Sequence, residues 1–131
     1  MLTLTLPWPS ADLSPNARVH ALALHRAKKK AKNEAWGLTK ALMGPLHIQH
    51  GSWRGSVDVS ITFHPSANRA FDLDNALARE KARLDGIALA LGVDDSVFTF
   101  RLARGERQNP PCVVITLTPA TVVLPVRGSI A

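Results

Sequence analysis

Cysteine is almost missing from this chain: Cys112 is the one thiol in 131 residues. A lone thiol closes no intramolecular disulfide, which points to a reducing, cytoplasmic setting. It also leaves His47 and His50, three apart, without the partners of a zinc site. No apolar run is long enough to cross a bilayer, so no membrane role is expected. The apolar opening "MLTLTLPWPS" lacks a basic leader and is broken by Pro7 and Pro9, unlike a secretory signal. There is no internal repeat and no low-complexity linker. Acidic residues are scarce as well: ten Asp and Glu face sixteen Lys and Arg, for a net charge of +6 and a sequence pI near 10.3. Such an excess favours nucleic acid or another polyanion as partner.

What is present is one domain's worth of chain with 46% hydrophobic residues, enough for a core. Leu2 to Leu6 alternate as a short strand, and the Pro- and Ser-rich "PWPSADLSPN" reads as an extended loop. From about Val19 to Met43 the spacing of Ala23, Ala27, Ala31 and Ala35, continued by Leu38 and Leu42, predicts a helix that Gly44-Pro45 ends. This helix carries Arg26, Lys28, Lys29, Lys30, Lys32 and Lys40 against one acid, Glu34. Val57, Val59, Ile61 and Phe63 mark a half-buried strand over Ser56 to His64. A second helix is expected from Asn75 to about Leu91, with Leu77, Leu84, Ile87, Ala88 and Leu91 buried and Gly92 as its stop. "VFTFRLA" and "CVVITLT" read as two strands of a hairpin. The order β-α-β-α-β-β predicts a single α+β domain, a mixed sheet with two main helices, over residues 1–119. An apolar tail, broken by Pro125 and Gly128, follows over 120–131.

Six of the ten acidic residues fall between positions 70 and 98, with one Lys and two Arg among them. Asp72 and Asp74 leave an extended chain on the same side, a few ångströms apart. Asp74 also suits the N-cap of the second helix. At about 100° per residue, Lys81 and Asp85 fall within about 20° of Asp74, so the three share a helix face. Lys81 and Asp85 form an i,i+4 pair, which a solvated surface salt bridge would also explain. One of Asp94 and Asp95 is expected to point back toward the helix start. Oxygen ligands with no Cys or His among them suit Mg²⁺, or Mn²⁺. A basic surface to hold a polyanion and an acidic cluster to hold a metal account together for the uneven charge.

The stretch "DLDN…K…LD…GVDDS" resembles the RusA family of Holliday junction resolvases, Mg²⁺-dependent endodeoxyribonucleases of phages and prophages. The opening "LTLPWPS…SPN" and the strand "VDVSITFHP" are similar to that family too, and the resemblance spans roughly residues 2 to 118. It implies a RusA-like fold and a homodimer that nicks the symmetric strands of a four-way DNA junction inside a bacterial or phage-infected cell. Carried over by position, Asp72, Asp74 and Asp95 match the metal-binding aspartates, Asn75 the Asn of DLDN and Lys81 the catalytic lysine, with Asp85 and Asp94 supporting. The helix start before Lys81 is three residues longer than in the short form of the motif, which leaves Arg79 as a rival to Lys81. The tighter "LGVDD" leaves Asp94 as a rival to Asp95. Arg69, Arg79 and the helix cations Arg26, Lys28, Lys29, Lys30 and Lys32 are the expected DNA contacts. A DNA-binding module without catalysis, or a nuclease for other branched DNA, are the alternatives.

Overall fold

The computed structural model describes residues 1–68 and 70–123; the expected DNA contact Arg69 and most of the expected tail lie outside these. The elements are β1 (Leu2–Pro7), α1 (Ala21–Met43), β2 (Trp53–His64), α2 (Leu73–Leu91), β3 (Phe98–Arg104) and β4 (Cys112–Val122), with short 3-10 turns at Ala11–Leu13 and Asp95–Val97. The fold is therefore α+β, with two helices and a four-stranded mixed sheet in the order β1-β4-β2-β3.

Alternation builds the sheet's buried face. Leu2, Leu4 and Leu6 of β1, Val57, Val59, Ile61 and Phe63 of β2, and Val113, Ile115 and Leu117 of β4 all enter one core. Each such side chain contributes about 1.5–3 kcal/mol by leaving water. From α2 come Leu84, Ile87, Ala88 and Leu91, as their spacing predicts, while Leu77 packs at the margin. From α1 come Ala31, Ala35 and Met43, with Thr39 buried beside them. Leu38 and Leu42 are only partly buried, because the face begun by Ala31 and Ala35 runs on through Thr39 to Met43. The Thr39 hydroxyl stays satisfied by donating to the Ala35 carbonyl at 2.7 Å.

The helices pack closely where Gly86 of α2 meets α1. A Cβ there would come within 2.2 Å of the Lys32 carbonyl oxygen, so glycine sets the approach of the two helices. Gly92 ends α2 in the left-handed region (φ 74°), as expected of a helix stop.

The expected hairpin is not formed. β3 pairs with β2 in parallel, and β4 lies antiparallel between β2 and β1. The helix α2 makes the crossover that a parallel pair needs. The chain then passes the end of β2 through residues 105–111, pinned by Gly105 N–H to Phe63 O (2.8 Å) and Gln108 N–H to Pro65 O (2.9 Å). A turn-rich loop between two strands reports reversal of the chain, not which neighbour each strand takes. β4 also runs past its expected end, through Pro119 to Val122. Pro119 is tolerated because β1 pairs only as far as Leu117, leaving that stretch of β4 on an edge. Among the described residues no helix is long and apolar enough to cross a membrane.

Candidate functional site

The second helix begins two residues earlier than its apolar spacing suggested, and Asp72, not Asp74, is its cap. Asp72 is extended (φ −80°, ψ 120°), and its Oδ1 accepts the N–H groups of Asp74 (2.9 Å) and Asn75 (3.4 Å). Asp74 thus lies in the first helical turn, and the two carboxylates do not leave an extended chain side by side. Both remain exposed at the helix's electropositive end. Beneath them Phe71 packs edge-on against Trp8 and Phe63. Arg104 lies over the Phe71 ring and donates to its carbonyl at 2.8 Å.

Three side chains one helical turn apart tie α2 to the N-terminal loop. Asn75 Oδ1 accepts from the Ser14 hydroxyl (3.3 Å). Arg79 donates to the carbonyls of Pro9 (3.1 Å) and Ser10 (3.3 Å). Arg83 donates to the Pro7 carbonyl (2.7 Å) and, through Nη1, to both Glu80 carboxylate oxygens (2.8 and 3.1 Å). Sequence patterning missed this last pair. Glu80 is fully buried and Arg83 only 3% exposed, so the ion pair is internal. Burial pushes the Glu80 carboxyl above its usual range, and the Arg83 charge opposes that rise. Asn75 and Arg79 therefore hold the loop that "PWPS" and "SPN" form.

The loop so held forms one wall of a cleft of about 690 Å³ between α1 and α2. Lys28, Lys29 and Lys32 line it from α1, joined by His25, which the charge count passed over. Their i, i+3, i+4, i+7 spacing carried that signal. Lys81 and Asp85 line it from α2, with Arg79. Arg26 and Lys30 turn to a second groove of about 540 Å³ on the other flank of α1, beside Trp8 and Arg83. The expected basic face is thus two faces. Asp74 stands on the helix line of Ala78, Lys81 and Asp85, one turn outside the cleft.

Asp95 stands near enough to Asp85 to act on its carboxyl. Partial burial first, then the neighbouring Asp95, raise the Asp85 carboxyl above its usual range, while Lys32 and Lys81 pull it down. Asp94 caps the 3-10 turn, accepting from Ser96 N–H at 2.8 Å. Those Ser96 contacts chiefly hold Asp94 below the usual carboxylate range, and Asp95 adds to them. Of the two aspartates, Asp95 is the one that reaches α2, but it meets the later part of the helix rather than its start.

The carboxylates therefore fall into two groups. Asp72 and Asp74 stand at one end of α2, and Asp85 and Asp95 stand about 16 Å further along its axis. One Mg²⁺ binds its ligands at about 2.1 Å and cannot span that gap. Among the described residues, no three acidic, histidine or cysteine side chains stand close enough to hold a metal ion. Asp85 and Asp95 offer carboxylate oxygens alone, and Asp85 lines the cation-rich cleft. Mg²⁺ commonly takes one or two carboxylates and leaves its other positions to water and phosphate.

No family model matches the chain. An uncharacterized protein of Xylella fastidiosa (strain Temecula1) is 42% identical over 129 residues, covering 92% of this chain and 78% of that protein. The chain belongs to the same family as that protein.

Proposed function

We propose that this protein is a Mg²⁺-dependent endodeoxyribonuclease that nicks four-way DNA junctions as a homodimer. One observation carries the reading: the cleft between α1 and α2 gathers Lys28, Lys29 and Lys32 with Lys81 and Asp85, and Asp95 adjoins it. A cation-lined cleft beside a carboxylate pair is what phosphodiester chemistry on a polyanion requires. The α1 lysines bind backbone phosphates. Lys81, exposed within the cleft, holds a non-bridging oxygen of the scissile phosphate and stabilises its growing charge. Asp85 and Asp95 would hold the metal, and Asp72 and Asp74, about 16 Å along the helix from Asp85 within one chain, would join them only across a dimer. When bound, Mg²⁺ supplies charge neutralisation and an acidified water. A two-fold dimer presents one such site to each strand of a near-symmetric junction.

The separation of the two carboxylate groups favours one rival, a junction-binding protein without cleavage. Both readings meet in a single experiment. Wild type, Asp74→Asn and Asp95→Asn are incubated with labelled four-way junction and linear duplex, in Mg²⁺ and in EDTA. Paired nicks in the junction alone, dependent on Mg²⁺ and lost in each variant, are expected. Mixing the two inactive variants restores nicking if the site is shared between copies. Tight junction binding with no nicks in Mg²⁺ or Mn²⁺ would leave the rival standing.

A further inference from the structure

We propose that the cleft between α1 and α2 takes a single unpaired nucleotide, drawn from the branch point of the DNA. The inference rests on the DNA reading above and goes beyond it, because phosphate contacts alone need no cavity. A flat or convex row of lysines tracks a backbone equally well. This protein instead builds a concavity of about 690 Å³, within the ~300–1,000 Å³ range of sites that enclose a small ligand.

The lining has two characters. Leu13, Val19 and Leu24 give an apolar wall, and His25 adds an imidazole ring. Lys28, Lys29, Lys32, Arg79 and Lys81 set five cations against the carboxylates of Asp12 and Asp85. An apolar wall beneath a cationic rim matches a base joined to its phosphates. It does not match a stacked duplex, whose bases face one another. The wall is also pre-formed. Ser14–Asn75 and the two Arg79 contacts fix the loop that carries Leu13, so binding orders little new chain. Drawing out a base is cheapest where pairing is already broken, and selectivity for branched over linear DNA follows.

The test places 2-aminopurine, whose fluorescence rises on unstacking, at the branch point of a four-way junction. Binding is measured in EDTA, and a matching linear duplex serves as control. Wild type is expected to raise the fluorescence several-fold on binding the junction. Leu24 and Ala82 line the cleft from α1 and α2. Leu24→Trp and Ala82→Phe fill it from these opposite walls, and each is expected to abolish the rise and the preference for junction while the duplex is still bound. Lys28→Ala/Lys29→Ala is expected to weaken binding to every DNA and to lower the salt slope by about 2. A rise that persists in both filled variants, or a wild type that binds the junction without any rise, would overturn the proposal. Failure of the wild type to bind either DNA would instead bring down the DNA reading itself, and this inference with it.

Discussion

Two charge pairs sit side by side on α2. Glu80 and Arg83 are three apart, and Lys81 and Asp85 are four apart. As sequence they look alike, two i,i+3 or i,i+4 pairs of the kind that decorate any surface helix. Their fates are opposite. Glu80 and Arg83 point inward and are buried, Arg83 Nη1 donating to both Glu80 oxygens and Nη2 to the Pro7 carbonyl at the end of β1. Lys81 and Asp85 point into an open cleft among other charges. A rotation of about 100° per residue separates a buried ion pair from two charges left apart. The expected Lys81–Asp85 bridge does not form: among the described residues the ion pairs are Arg83–Glu80 and Lys30–Glu34. The buried pair trades reactivity for order: its hydrogen bonds are mostly spent, with only Arg83 Nε unpartnered among the described residues. The open pair keeps its groups free to meet a ligand.

Breaking the buried pair should have the largest effect. Glu80→Ala leaves the Arg83 charge inside without its partner and is expected to cost about 3–5 kcal/mol, read by urea unfolding. The double change Glu80→Met/Arg83→Leu should recover much of that loss, since replacing both charges by apolar groups is often neutral. Next comes the contact that brings the helices together. Gly86→Ala forces a Cβ onto the Lys32 carbonyl and should cost about 1–3 kcal/mol, with the cleft reshaped because Lys32 lines it. Asp72→Ala removes the helix cap and should cost about 1 kcal/mol.

The open pair should behave in the contrary way. Lys81→Ala is expected to leave stability within about 0.5 kcal/mol while lowering junction nicking by about 100-fold or more. Asp85→Asn gives the smallest shift and a telling sign. The folded protein holds the Asp85 proton more tightly than the unfolded chain does, so ionising this group works against folding as pH rises above the ordinary aspartate range. The variant should therefore melt slightly higher than wild type at pH 7. The difference should vanish at a pH below that range, where the wild-type carboxyl is protonated in both states.

Much of this fold was legible because its signals are local. Period-two alternation marked β1, β2 and β4, and the leucine and isoleucine spacing marked α2. Gly92 announced its own left-handed turn. The errors share a cause: each needed knowledge of a neighbour distant in the chain. The supposed hairpin failed because β3 chose β2, and the alternation of a strand names no partner. The cap fell on Asp72 because the helix reached back to Leu73, which packs at the core's margin. Helical phase could place Asp74, Lys81 and Asp85 on one line. It could not show that the cleft begins only at Ala78, because the α1 lysines and the 12–19 loop make the cleft.

By itself the sequence determined the class of fold, the basic character, the carboxylate-rich segment and the faces of each helix, since these depend on residue type and on periods of two and 3.6. Tertiary structure alone decided which charges were buried and which were open, and that Asp95 meets Asp85 instead of Asp74. It also divided the lysines of α1 between two grooves. A rigid helix keeps residues eleven apart about 16 Å apart whatever motif they belong to, and only the packing of distant segments chooses what stands opposite each end.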